Sequence, residues 1–208
     1  MKTSLLIITT IIFIAIGCND NSTNTIESLQ IMPLKTGNIW IYNSFTLDTN
    51  GNIIESQIYK TMVDADSLWN GEKIYRLSDS ALNYKSSYYN MNRTDGYYSL
   101  RSSMDSLEHK DTLEPQILVK YPGKPGDTFI RYLMKYTIEN IDINYTTLIG
   151  TFKCYKYTNT SNSGIEMDTT YDYYCPGIGR IGYEMYRHFT GGRNYLALKT
   201  ELVGYSVK

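Results

Sequence analysis

The stretch 172–186, DYYCPGIGRIGYEMY, sets Gly177, Gly179 and Gly182 at the spacing G-x-G-x-x-G, and the reading of those glycines decides the fold. In a dinucleotide-binding loop this spacing follows a strand and opens a helix, so that the helix N-terminus and its free N–H groups hold a pyrophosphate. A strand-like run, TYDYYC (170–175), does precede the glycines. The residues after them do not suit a helix, because YEMYRHFTGG (183–192) alternates like a second strand and ends in Gly191-Gly192. With no βαβ unit around it, the motif reads as a kink between two strands. Gly177, Gly179 and Gly182 are then structural, letting backbone bend or pass close to backbone. No nucleotide and no cofactor is expected, and the fold expected is all-β.

The rest of the chain reads the same way. In NIWIYNSFTLD (38–48), Ile39, Ile41, Phe45 and Leu47 share one face and Trp40 and Tyr42 the other, the period of a strand. Asn50-Gly51 marks a hairpin turn, and the returning strand carries Ile54, Ile58 and Met62 on one face. Asn70-Gly71 and Asp95-Gly96 repeat the signal around EKIYRLSD (72–79), NYKSSYYNMN (83–92) and YYSLR (97–101), which makes an antiparallel meander. Ser102 to Pro115 has no clean period and carries Asp105, Glu108, His109, Lys110, Asp111 and Glu114, so it is expected to be a loop with at most a short helix. Strand-like runs resume at QILVKY (116–121), at Phe129 to Ile149, and at RIGYEMYRHF (180–189) and NYLALKTELVGYSV (194–207). The sheet is expected to form a curved sheet, a half-barrel or two packed sheets.

An internal echo joins the two halves. Pro33, Gly37, Asn38 and Trp40 in PLKTGNIW match Pro122, Gly126, Asp127 and Phe129 in PGKPGDTF as P-x-x-x-G-N/D-x-W/F. The proline stops pairing, the glycine permits a tight turn, and the aromatic starts a strand with a large buried contact. Residues 33–208 therefore read as one β-rich domain with two similar halves, 33–115 and 116–208.

The N-terminus has a different character. Lys2 is followed by an apolar run from Leu5 to Ile16, then Gly17 and Cys18, then the polar run Asn19 to Thr25. That is the pattern of a secretory signal. The run is shorter than the ~20 apolar residues needed to span a bilayer. A small residue before cysteine at this junction resembles the lipobox of bacterial lipoproteins. The resemblance implies cleavage between Gly17 and Cys18, loss of residues 1–17, and acylation of Cys18, with 18–32 as a flexible tether. Two or three acyl chains hold a protein stably to a membrane.

Lys and Arg number 20 against 21 Asp and Glu, a net charge of −1 with no basic stripe, which argues against nucleic acid as a partner. Tyrosine is the outlier, with 21 against 5 Phe and 2 Trp. Tyrosine favours strands, where its ring is buried while its hydroxyl stays wet, so a tyrosine-rich sheet is the plain reading and an aromatic surface for sugars the sharper one. Beyond Cys18 there are two cysteines. If TFKCYKYT (151–158) and TYDYYC (170–175) pair with Tyr155 opposite Tyr174, Cys154 and Cys175 come together. They are then either a disulfide worth about 3 kcal/mol or two reduced, buried thiols.

Catalytic signals are missing. His109 and His188 are the only histidines, there is no C-x-x-C, no G-x-S-x-G and no H-E-x-x-H, and carboxylates are scattered singly. No metal site and no enzymatic activity is expected.

Taken together, the lipobox, MPLKTGNIWIY, PGKPGDTF, GTFKCYKY and YYCPGIGRIGYE resemble a group of Bacteroidetes-type lipoproteins. Their pattern runs roughly P-L-x-x-G-N-x-W-x-Y, then G-T-F-x-C, then Y-x-A-P-G-V-G-x-V. Cys175 stands where that pattern has alanine. The resemblance implies an all-β cell-envelope protein, held to the outer membrane through Cys18 on its periplasmic or surface face, with a curved sheet of the kind that holds acyl chains. Two functions are expected from this. One is an apolar ligand such as lipid, lining residues Ile41, Phe45, Ile58 and Met62. The other is an interaction module contacting glycan or protein through exposed tyrosines.

Overall fold

The computed structural model of the chain describes residues 30–81, 84–104, 111–162, 166–189 and 194–208. Gly17, Cys18, His109 and Gly191-Gly192 lie outside the described residues. Twelve strands make one antiparallel sheet. The first six are β1 (Ile39–Leu47), β2 (Ile53–Trp69), β3 (Glu72–Ala81), β4 (Tyr84–Arg93), β5 (Gly96–Met104) and β6 (Asp111–Lys120). The second six are β7 (Thr128–Arg131), β8 (Met134–Thr147), β9 (Gly150–Asn162), β10 (Glu166–Cys175), β11 (Gly179–Phe189) and β12 (Tyr195–Ser206). The order β6-β5-β4-β3-β2-β1-β12-β11-β10-β9-β8-β7 is two six-stranded meanders joined through β1 and β12. The sheet curls until β6 and β7 come side by side, nearly closing a barrel.

The flanks of the stretch expected to be a loop are strand, while residues 105–110 lie outside the described residues. Residues 102–104 continue β5 and 111–115 begin β6, paired Leu100 to Pro115 and Ser102 to Leu113. A register shift at Tyr97/Tyr98 breaks the alternation, and β6 is an edge strand, where a proline is tolerated.

The two echoed segments adopt the same turn. Gly37 and Gly126 both take left-handed φ, +88° and +91°. Asn38 N donates to Lys35 O at 2.9 Å, and Asp127 N to Lys124 O at 3.0 Å. Each turn is then stitched to a partner strand by two bonds. Gly37 N donates to Val63 O and Val63 N to Asn38 O, while Gly126 N donates to Ile138 O and Ile138 N to Asp127 O. Each meander thus begins from the same device, and each places an aromatic, Trp40 or Phe129, in the core.

The barrel is stoppered by its own N-terminal segment. Ile31, Met32 and Leu34 are buried against Trp40, Val119 and Ile138, so Ile31 and Met32, read from sequence as tether, belong to the core. This segment is clamped by the glycine stretch. Gly177 N donates to Gln30 O at 2.7 Å, and Trp40 Nε1 donates to Ile178 O at 2.5 Å. Gly179, at φ +106°, has no room for a side chain, because a Cβ there would sit 2.5 Å from Met32 Sδ. Gly182 meets a ring instead. A Cβ would lie 2.5 Å from Tyr145, which stacks on Tyr173 at 4.1 Å. The glycines of the opening motif make room for protein, from the N-terminal segment on one side and from β8 on the other.

Candidate ligand site in the barrel interior

Above the stopper the interior changes character. A cavity of about 440 Å³ lies between the two meanders, within the size range of small-molecule sites. Tyrosine is the commonest residue in its wall, with Tyr42, Tyr59, Tyr88, Tyr97, Tyr132 and Tyr174 contributing rings and hydroxyls. Strand parity puts them there: Tyr42 pairs with Tyr59 on β2, and Leu77, opposite Val63, pairs with Tyr88 on β4.

Charge is placed on this inner face too. Asp172 on β10 is 1% exposed and sits between two arginines. Arg131 Nη2 on β7 is 2.7 Å from its Oδ2, and Arg180 Nη2 at the start of β11 is 3.0 Å from its Oδ1. Arg131 also donates to Tyr136 Oη at 2.5 Å and stacks on that ring. Burial is the largest single effect and opposes charge on both guanidiniums, but the Asp172 carboxylate and the surrounding tyrosines together outweigh it and hold them protonated above the ordinary arginine range. The same burial keeps the phenols neutral, pushing Tyr174 up to about 12 and Tyr42 and Tyr97 well above their usual value. Asp79 accepts from Thr61 Oγ1 at 2.5 Å and from Tyr88 Oη at 3.2 Å. Asn90 donates to Tyr97 Oη, and Asn90 Oδ1 is buried without a partner among the described residues.

The cavity's mouth is bordered by the β7–β8 turn, whose Tyr132 is in the lining. That turn has Tyr132 and Leu133 at φ +54° and +67°, left-handed positions that a two-residue hairpin normally gives to Asn and Gly. Leu133 is 96% exposed, while Tyr132 turns to the cavity, where Arg101 from β5 stacks on its ring at 3.7 Å. Arg131 Nη1 donates to Leu118 O on β6 at 3.3 Å, tying the two sides of the seam together.

The residues singled out from sequence sit elsewhere. Ile41 and Ile58 are 36% and 63% exposed, and neither they nor Phe45 and Met62 line the cavity. The inward parity on these strands belongs to Trp40, Tyr42, Tyr59, Thr61 and Val63, so the expected apolar lining is corrected to the opposite face of β1 and β2. Tyr155 does pair with Tyr174, and Cys154 and Cys175 come into contact as free, buried thiols. Hydrogen bonding to Cys175 and then burial push the Cys154 thiol far up. His188 lies on β11, outside the cavity lining. Sequence reading passed over Arg131, Asp172 and Arg180. The available signal was parity, since Arg131 falls on the same strand face as Phe129 and Asp172 on the same face as Tyr174, where a surface charge would not sit.

No protein-family model matches the chain, and no curated protein matches its sequence. Two solved structures are similar to it. One is a presumed lipoprotein from Parabacteroides distasonis ATCC 8503, with TM-score 0.54 and 15% identity over 86% of this chain and 100% of that one. The other is a presumed exported protein with a YmcC-like fold from Bacteroides fragilis NCTC 9343, with TM-score 0.52 and 14% identity over 86% and 99%. The likeness is one of fold.

Proposed function

We propose that this is a cell-envelope lipoprotein, anchored through acyl chains on Cys18 and acting by binding, whose barrel holds one small polar ligand. The signal-like N-terminus and the fold shared with a presumed lipoprotein and a presumed exported protein of Bacteroidetes support the envelope placement. The observation that carries the binding role is the cavity, a concave space with hydrogen-bonding tyrosines and a buried Arg-Asp-Arg group converging on it. A lining rich in hydroxyls and guanidiniums favours a polar ligand over an acyl chain, whose burial there would strip water from those groups without replacing it. An interaction surface of exposed tyrosines has less support, because most described tyrosines are turned inward or half-buried.

Native mass spectrometry of residues 19–208, exported to a bacterial periplasm and purified gently, tests the reading. A retained mass of small-molecule size that leaves on activation supports it. A retained phospholipid or fatty acid would return the interior to acyl-chain transport.

A further inference from the structure

We infer that the ligand is a hydroxylated ring carrying a carboxylate, an acidic sugar, with Arg180 and Arg131 as the groups that recognise its charge. The inference rests on the reading of the barrel interior as a ligand site and adds the chemical class. Among the described residues the charged side chains lining the cavity are Arg101, Arg131 and Arg180 against Asp79 and Asp172, so the wall carries one positive charge in excess. The excess sits on Arg131 and Arg180, which share a single carboxylate. Both guanidiniums have an Nε buried without a hydrogen-bond partner, so each has a donor to spare beside its ion pair with Asp172, whose Oδ1 is likewise without a hydrogen bond. A guanidinium is built to give paired N–H donors to a carboxylate, and in a site shielded from water such a contact discriminates strongly against a neutral analogue.

The remaining wall fits the rest of such a molecule. Asp79 and the unpartnered Asn90 Oδ1 accept from hydroxyls, and phenols that stay neutral can donate to or accept from them. Tyr42 and Tyr59, stacked on each other at 5.1 Å, and Tyr174 give ring faces for the C–H side of a pyranose. The cavity volume suits one or two sugar rings.

The test is ligand-observed NMR and calorimetry on residues 19–208 with D-glucuronate, D-glucose and 1-octanol as probes. Glucuronate is expected to bind about tenfold or more tighter than glucose. Arg180→Met should bring glucuronate down to the level of glucose. Because that change also disturbs Asp172, a second variant works in the opposite direction. Asp79→Asn keeps an oxygen for Thr61 and Tyr88 while raising the positive excess, and it should raise the ratio of glucuronate to glucose affinity several-fold. Equal binding of glucose and glucuronate would overturn the inference and leave the polar ligand site standing. Binding of 1-octanol with neither sugar would overturn both. No binding of any probe by a barrel that retains a small molecule in native mass spectra would overturn the inference alone.

Discussion

The two ends of the barrel are built from one alternating strand pattern and reach opposite results. At the stoppered end the inward positions are Trp40, Val63, Val119 and Ile138, and Ile31, Met32 and Leu34 from the chain's own start fill the space. Around the cavity β1 and β2 turn Tyr42 and Thr61 inward, joined by Asp79 from β3, Tyr88 from β4, Arg131 from β7 and Asp172 from β10, and a space stays open. The closed end follows the hydrophobic effect in the usual way. The open end keeps polar groups inside by satisfying most of them with one another, which makes room without collapse. One end secures the fold, and the other encloses a space lined with polar groups.

The largest effect should come from the closed end. Trp40→Ala removes a fully buried ring that packs beside Gly179 and bonds Ile178, and it should cost about 3–5 kcal/mol in urea unfolding. A loss below about 1 kcal/mol would mean that the stopper does not hold the barrel shut. Next comes Asp172→Ala, which leaves two largely buried guanidiniums facing each other, with a cost of about 3 kcal/mol or more despite lying at the polar end.

The tyrosines give a pH signature. Burial raises the pKa of Tyr42, Tyr88, Tyr97 and Tyr157 above the ordinary value of 10.0. The folded state therefore keeps protons that the unfolded state releases. Stability is full below pH 10 and should fall above it, by about 1.4 kcal/mol per pH unit for each such phenol. Thermal unfolding followed from pH 8 to 11 checks this, and a flat profile through pH 11 would show the phenols to be solvated.

Smaller changes mark the mouth. Replacing Tyr132-Leu133 by Asn-Gly relieves two left-handed non-glycine residues and should raise stability by about 1 kcal/mol or more. The same exchange removes the ring under Arg101, so glucuronate affinity should drop while stability rises. Arg101→Gln alone should change stability by no more than about 0.5 kcal/mol, since Arg101 is exposed.

Much of the fold was legible from local chemistry. Asn50-Gly51 closes β1–β2 with Gly51 at φ +83°, and Asn70-Gly71 closes β2–β3 with both residues left-handed. At the third hairpin the turn is Thr94-Asp95, with Gly96 already in β5 opposite Arg93, where a Cβ would strike Val119 O. The echo of Gly37-Asn38 in Gly126-Asp127 was legible because only glycine adopts that φ at no cost. The cavity was not legible, for a physical reason. On β1 both faces carry large side chains, and choosing the inner one by hydrophobicity selects Ile41 and Phe45, whereas the inner wall is made of tyrosines. Hydrophobicity marks a filled core, and here the decisive region is an unfilled one. The Arg131–Asp172–Arg180 group brings together residues from three strands, 41 positions apart at its widest ion pair, which no local window contains.

The central claim, that the open end is a ligand site and not an imperfectly filled core, is tested most directly at Ser99, a small buried residue in the cavity wall. Native mass spectra should be compared for the wild-type barrel and Ser99→Phe, both shown folded by circular dichroism. A small-molecule mass should be retained by wild type and lost from a Ser99→Phe barrel of equal or greater stability. The same bound mass on both proteins would place the ligand elsewhere and contradict the claim.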